Sequence, residues 1–399
     1  MTDAEIAEIG QVDVVVGLVP ATWDREALEG AVARISAGAL SARSVLVHPP
    51  YAPADATPLQ TSREWRLITS QQLAQNPANI VDSLKESFRG IAEISRKLGA
   101  RACGLIASDL SSVRAEWVQL LLAPVVEDDF DLVTPCYARH AFEGMINRAL
   151  VYPFFRALYG KKLRNPLGPD LGISRRLLDR VDAGARPGLH PFASLGPEAA
   201  SNGMKICQAH LGHRTYSPPD STALSSLLSQ VLGPVFLDTE RYAPAWQRVR
   251  GSQLVPEFGT PMSAAGTESA VDVTRMIESF RLGVKNLYEV WAMILPPSTL
   301  VELHHLARKD SSAFLMLDET WARIVYDFAL AHRLRTISRE QVLRSLTPLY
   351  LGWLASYANQ PGSQAPEAVE QRLEKLCLAY EHTKSYFVSR WRWPDRFNP

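Results

Sequence analysis

The chain has 399 residues, with 42 Lys and Arg against 42 Asp and Glu, 46% hydrophobic and 21% charged. At roughly 150 residues per domain, this length predicts about two or three domains, or one large core with an appendage. Zero net charge leaves no electrostatic footprint for nucleic acid or an anionic membrane, and the apolar content excludes a disordered chain. No run reaches the roughly 18 consecutive apolar residues that would span a bilayer. Met1-Thr2-Asp3-Ala4-Glu5 opens acidic without a signal-peptide pattern, so a soluble cytoplasmic protein is expected. Cys103, Cys136, Cys207 and Cys377 form no metal-type pair and read as buried thiols.

The β-branched run Val12-Asp13-Val14-Val15-Val16-Gly17-Leu18-Val19 predicts a first buried strand, closed by Pro20. Helical spacing follows over 23–40 (Leu28, Val32, Ile35, Leu40), then a strand at Ser44-Val45-Leu46-Val47 that enters a Pro-rich loop at His48-Pro49-Pro50-Tyr51. A third strand is expected at Trp65-Arg66-Leu67-Ile68, a long amphipathic helix at 78–98, and a fourth strand at Cys103-Gly104-Leu105-Ile106. A helix around 117–122 and the strand Asp131-Leu132-Val133-Thr134-Pro135 continue the alternation. Strands and helices in this order predict an α/β fold, a mostly parallel sheet with helices on both faces. Ligands in such sheets sit beyond the carboxyl ends of strands, here 20–24, 48–57, 107–111 and 136–140. From about residue 271 the pattern is helical, over 272–295, 299–308, 318–334, 338–357 and 366–390, with Pro296-Pro297 and Gln360-Pro361-Gly362-Ser363 as expected stops. The expected organisation is a Rossmann-like domain over 1–250, a linker over 251–270 and a helical domain over 271–399.

Candidate chemistry gathers at strand ends. Asp109, after Leu105-Ile106-Ala107-Ser108, has two readings: a carboxylate holding Mg²⁺ or Mn²⁺ on a diphosphate, or the start of a helix near Val113. Arg139 and His140 either grip a carboxylate or phosphate or form an exposed pair. Asn165-Pro166-Leu167-Gly168-Pro169-Asp170-Leu171-Gly172-Ile173-Ser174 reads as a turn leading into a short helix that begins near Ser174-Arg175-Arg176. In it Gly168 and Gly172 allow close backbone approach, and Asp170 either accepts from sugar hydroxyls or holds a structural turn. His210 and His213 stand three apart in the strand-like 206–216, so alternation points them to opposite faces and makes them a poor chelate. No Ser-His-Asp order, Walker loop or G-x-G-x-x-G occurs, which argues against P-loop and dinucleotide enzymes. Trp291, Trp321 and Trp353 at helical spacing read as core residues, with a dimer face as the other reading.

Taken together, the chain resembles the GT-A-fold glycosyltransferases around mannosylglycerate synthase and, more distantly, glucosyl-3-phosphoglycerate synthase. The resemblance rests on Leu132-Val133-Thr134-Pro135 with Tyr137-x-Arg139-His140, on Pro166-Leu167-Gly168 with Asp170, and on Ser108-Asp109-Leu110 followed by Glu116-Trp117-Val118. It extends to Trp321-Ala322-Arg323-Ile324-Val325-Tyr326-Asp327-Phe328 and Leu346-Thr347-Pro348-Leu349-Tyr350-Leu351-Gly352 in the helical tail. It implies retaining transfer of a hexose from a nucleotide sugar to a small anionic hydroxy acid such as glycerate. It also implies a divalent cation, Mg²⁺ or Mn²⁺, if the protein is catalytic. By the same resemblance, Asp109 and Ser108 meet the donor and Asp170 is the catalytic residue at the donor sugar. Arg139, His140, Asn147, Leu167 and Gly168 line the acceptor side, and Asp109 with His213 holds the metal. The first acid of the family's D-x-D motif is Ala107 in this chain, and the family's metal-binding His falls on Tyr216, or on His213 with a three-residue shift. These departures set a second expectation beside the enzyme: a non-catalytic relative that binds a sugar, a nucleotide or a partner. A second copy of the chain and an active paralogue are the protein partners considered.

Overall fold

The computed structural model describes residues 8–20, 24–38, 43–49, 65–70, 73, 80–108, 110–183, 191–214, 223–262, 271–360 and 366–394. Eight strands form one sheet: β1 (Val14–Pro20), β2 (Ser44–His48), β3 (Trp65–Thr69), β4 (Ala102–Ser108), β5 (Leu132–Ala138), β6 (Leu171–Ser174), β7 (Ile206–His213) and β8 (Glu257–Phe258). Their order is β3-β2-β1-β4-β6-β5-β7-β8, parallel throughout except for β6, which runs antiparallel to both β4 and β5. This is the expected α/β sheet. β1 lies inside it, paired with β2 and β4, and Val14, Val15, Val16, Leu18 and Val19 are fully buried. A strand covered on both faces has no use for polar alternation, which is why it reads as an unbroken apolar run.

The helices after β1, β3 and β4 belong with these strands. α1 (Arg25–Ala37) starts at Asp24, whose carboxylate accepts the N–H groups of Glu26 and Ala27. α2 (Ile80–Lys97) follows β3, and α3 (Glu116–Glu127) packs Trp117, Val118, Leu121 and Leu122 into the core between β4 and β5. α3 begins at Glu116, three residues after the expected start near Val113, because Leu110–Ser112 first makes a separate 3₁₀ turn.

β6 was expected as part of a turn and is a four-residue strand; the helix after it begins at Arg175, as expected. Its register, Cys103↔Ile173 and Leu132↔Ile173, wedges it between β4 and β5. Gly172 makes the wedge fit. A Cβ there would stand 1.9 Å from the Leu121 carbonyl oxygen of α3, so strand and helix backbones approach too closely for any side chain. At the base of the same strands Asp131 is buried, and accepts from the Ser174 hydroxyl at 2.8 Å, from Arg176 Nε and Nη2 at 2.9 and 2.7 Å, and from the Lys205 N–H at 3.0 Å.

The chain divides into two compact units whose limits differ from the expected domains. The first comprises Met1–Ala138, Lys162–Tyr216 and Leu254–Ala265; the second comprises Arg139–Lys161, Ser217–Gln253 and Gly266–Pro399. Two contacts explain the correction. β8 lies in the expected linker but pairs with β7 at Gln208↔Glu257, which draws that stretch into the sheet. Arg156, on the helix Tyr152–Tyr159, is 1% exposed and bonds Glu374 and Glu381 of the last helix, which draws 139–161 into the helical unit.

In that second unit the main helices are Leu224–Arg241, Val273–Asn286, Pro297–Ala307, Asp318–Leu334, Arg339–Ser345, Thr347–Ala358 and Pro366–Arg392. The expected helices 272–295 and 338–357 are each divided, at Leu287 and at Leu346. Pro296-Pro297 falls between helices, as expected, with Pro297 opening the next one, and Pro348 likewise lies in a first turn, where no N–H partner is needed. Trp291, Trp321 and Trp353 are all buried, so the core reading holds for each. Their indole N–H groups donate to Ser345 O, Ala149 O and Asp318 Oδ1 at 3.0, 3.0 and 3.1 Å, as buried indoles require. Among the described residues, no helix is long and apolar enough to cross a membrane.

Candidate active site

β1 connects to β2 on one side and neighbours β4 on the other, so the strand order reverses between β1 and β4. The crevice beyond the carboxyl ends there is where open α/β sheets bind ligands, and Pro20, His48 and Ser108 end the strands around it. His48 is buried, its Nδ1 2.8 Å from the Pro49 carbonyl and its Nε2 3.4 Å from Thr69 Oγ1. A carbonyl only accepts, so Nδ1 carries the proton. Burial lowers the His48 pKa, and the bond to Pro49 offsets this only in part, which favours the neutral ring. Asp109 and Tyr216, and the loop residues 21–23 and 50–57, lie outside the described residues.

Asp170 reaches the carboxyl end of β4 because β6 is antiparallel. Leu171 pairs with Leu105, so the residue before β6 falls beside the residues that end β4. Asp170 is 1% exposed and its two oxygens face different partners. Oδ1 accepts the Ala107 N–H at 2.8 Å, and Oδ2 accepts the Tyr137 hydroxyl from the end of β5. Arg214, just past β7, closes the cluster. Its Nη2 donates to the Ala107 carbonyl at 3.1 Å, its Nη1 lies 3.8 Å from Asp170 Oδ2, and the guanidinium carbon stands 5.3 Å from the Tyr137 ring centre. Both main-chain groups of Ala107, where the family's motif has an acid, are thus held by charged side chains.

Two local irregularities set this geometry. The β5–β7 register slips between Cys136 and Tyr137, so that His210 and Gly212 face successive residues and Leu211 is the extra one. The Leu211 carbonyl accepts from Trp117 Nε1 at 2.8 Å and Arg114 Nη2 at 2.9 Å. The bulge breaks the alternation on which the opposite-face argument for His210 and His213 depended. His210 instead meets Glu257 of β8 at 2.8 Å, and half-buried His213 ends β7 opposite Ala138. The second irregularity is the turn before Asp170. Gly168 donates to the Asn165 carbonyl at 2.9 Å, Asn165 Nδ2 donates to Pro135 O at 2.8 Å, and a Cβ on Gly168 would stand 2.3 Å from the Pro135 ring. Close approach at Gly168 and Gly172 was legible in the sequence. Leu167 is half-buried in the same turn.

Of the described residues, Asp170 and Ala107 do not suit a hard divalent cation. Such an ion takes oxygen ligands, and Ala107 offers no side-chain oxygen while both Asp170 oxygens already accept from protein donors. A dication placed about 4 Å from the Arg214 guanidinium would also be repelled by roughly 8 kcal/mol at an effective dielectric of ~20.

Arg139, His140 and Asn147 belong to the second unit and share one tight loop there. The His140 N–H donates to the Glu143 carboxylate at 3.0 Å, and Arg148 Nη1 donates to the carbonyls of His140 and Ala141 at 2.9 and 3.0 Å. The Arg139 side chain lies over Gly144, where a Cβ would meet its Nη1 at 1.6 Å. Asn147 opens a π-helical turn, Asn147–Val151. Neither Tyr137 nor Arg214 has a role assigned from the sequence; the available signal was a Tyr and an Arg at the ends of neighbouring strands.

No protein-family model and no curated protein matches the chain. Solved structures are similar to it. Glucosyl-3-phosphoglycerate synthase from Mycobacterium tuberculosis with phosphoglyceric acid is 16% identical, covering 61% of this chain and 85% of that one at a TM-score of 0.40. The same enzyme with Mn²⁺, UDP-glucose and phosphoglyceric acid is 14% identical, covering 61% and 84% at a TM-score of 0.39. A mycobacterial protein is 20% identical, covering 60% and 78% at a TM-score of 0.40. Glucosyl-3-phosphoglycerate synthase is the more distant of the two enzymes that the motifs resemble.

Proposed function

We propose that the chain is a nucleotide-sugar-dependent glycosyltransferase that moves a hexose, with retention, to a small anionic hydroxy acid of the glycerate type. The observation that carries this reading is the buried Asp170 carboxylate at the carboxyl end of β4, held by the Ala107 N–H and the Tyr137 hydroxyl beside the reversal of strand order. A fixed carboxylate at that place suits stabilisation of positive charge as the glycosidic bond breaks. Ser108 and Asp109 belong to the donor side of this reading. Arg139, His140, Asn147, Leu167 and Gly168 are assigned to the acceptor on their motifs alone. A divalent cation enters only through Asp109 and His213, and no step is routed through it.

A second reading, a non-catalytic binding protein, is favoured by Ala107 in place of the acid. One experiment separates the two. UDP-glucose and GDP-mannose are titrated calorimetrically, and each is then incubated with glycerate or phosphoglycerate while mass spectrometry follows the glycosylated acid. Binding with product supports the enzyme; binding without product supports the second reading. No heat from either donor removes the donor site and the proposed reaction with it.

A further inference from the structure

We infer that Gly144 and Arg148 are positioning residues for the anionic acceptor: acting through Arg139, they hold its guanidinium in one place before the acid arrives. The inference rests on the glycosyltransferase reading, which assigns Arg139 to the acceptor, and names what sets the geometry of that side chain.

The loop that carries Arg139 is braced from within. The Glu143 N–H donates to the His140 carbonyl at 3.2 Å and the Arg148 N–H to the Gly144 carbonyl at 3.1 Å, so the turn passes straight into a helical one. The Arg148 guanidinium then reaches back, and its Nη1 donates to the carbonyls of His140 and Ala141 at 2.9 and 3.0 Å. The base of the loop is fixed as well. The Ala149 carbonyl, in the π-helical turn, accepts from Trp321 Nε1 at 3.0 Å and from the Tyr380 hydroxyl at 3.2 Å, and both donors are fully buried. Gly144 supplies the space. It is buried at a φ of +63°, and a Cβ there would stand 1.6 Å from Arg139 Nη1 and 2.8 Å from its guanidinium carbon. Only glycine leaves the guanidinium where it lies. A carboxylate or phosphate is met by a planar fork, so the orientation of the guanidinium counts as well as its charge. A side chain ordered beforehand also has little rotamer freedom left to lose on binding.

The test is steady-state glycosyl transfer by the full chain, with glycerate or phosphoglycerate varied at a saturating nucleotide sugar. Arg139→Ala is expected to raise the KM for the acid at least about tenfold. Gly144→Ala, which displaces the guanidinium, and Arg148→Ala, which opens the loop, should each raise it about tenfold, with the KM for the nucleotide sugar unchanged. Arg148→Lys should recover part of the loss. In an Arg139→Ala background Gly144→Ala should add nothing, because it acts through that side chain. Gly203→Ala is the control: a φ of +66° imposes the same backbone strain, nothing lies within 4 Å of the added Cβ, and the KM for the acid should stay as it is. Circular dichroism checks that the variants fold; if Gly144→Ala does not, Arg148→Ala and Arg148→Lys still decide. A KM for the acid that Arg139→Ala, Gly144→Ala or Arg148→Ala leaves unchanged overturns the inference while the glycosyltransferase reading stands. So does a rise that Gly203→Ala shares or that extends equally to the nucleotide sugar. No product from the parent removes both.

Discussion

The Asp170 carboxylate accepts the main-chain N–H of Ala107 at 2.8 Å, across 63 positions of chain. The same carboxylate takes the Tyr137 hydroxyl, so one buried acid ties together the ends of β4 and β5. Removing it leaves the buried Ala107 N–H and the half-buried Tyr137 hydroxyl without this acceptor, and takes an acid from beside the Arg214 guanidinium. Asp170→Ala is expected to lower unfolding stability by about 3–5 kcal/mol, and Asp170→Asn, which keeps one acceptor, by about 2 kcal/mol. Urea unfolding followed by tryptophan fluorescence measures both; a loss under 1 kcal/mol for the alanine variant would contradict the geometry.

Gly172 offers a test of the sheet itself. The Leu121 carbonyl stands 1.9 Å from where a Cβ would be, and both partners are backbone, so relief requires α3 to move away from β6. Gly172→Ala is expected to cost at least about 1–3 kcal/mol, the range for overpacking. A thermal melt would show the fall; an unchanged midpoint would mean that helix and strand do not pack this closely.

Asp131 makes the acid side of the stability curve predictable. Burial alone would raise its pKa, but hydrogen bonds from Arg176, Ser174 and the Lys205 N–H outweigh this, and the carboxyl stays below its ordinary range. A depressed folded pKa gives stability that is present above about pH 4 and is lost as pH falls through the folded value. Asp131→Asn should therefore be less stable than the parent by about 2–3 kcal/mol at pH 7, with the gap closing below about pH 4. Denaturant curves from pH 7 to 2.5 test this; a gap that does not depend on pH would refute it.

His332 in the helical unit also costs stability as pH falls, but because its charged form is disfavoured rather than because a charged form is held. It is buried against Phe236, its Nδ1 has no hydrogen-bond partner among the described residues, and burial with Arg339 and Arg335 pushes its pKa down to about 4. The unfolded chain binds the proton first, so the parent loses stability as pH falls from about 6.5 towards 4. His332→Phe should escape this loss and gain on the parent by about 3 kcal/mol across that window. Paired thermal melts at pH 7 and pH 4.5 provide the comparison, and no relative gain at the lower pH would show that the ring accepts its proton freely.

Much of the sheet was legible because buried parallel strands carry an unbroken apolar signature. Val14–Val19, Ser44–Val47 and Cys103–Ile106 were read on that ground and all lie in the sheet. β6 was not, because Leu171-Gly172-Ile173-Ser174 is short, has glycine at its centre and follows a proline-rich turn. β8 has two residues and no pattern of its own; pairing with β7 alone makes it a strand. For the candidate site, Asp170, Gly168 and the strand-end rule pointed to the carboxyl ends of the strands. Arg214 had no local mark. Its significance comes from the Leu211 bulge and from a carbonyl, Ala107 O, that belongs to a different strand.

From its own residues the sequence determined the alternation of strands and helices, the helical character of the second half and the acid in the turn before β6. These are properties of neighbouring side chains: periodicity, burial preference and turn chemistry act over a few residues. Tertiary structure alone decided that β6 runs against its neighbours, and so that Asp170 meets Ala107 with a guanidinium beside it. Strand direction is set by how distant segments pair and pack, and the free energy of that pairing is written in no single stretch of chain.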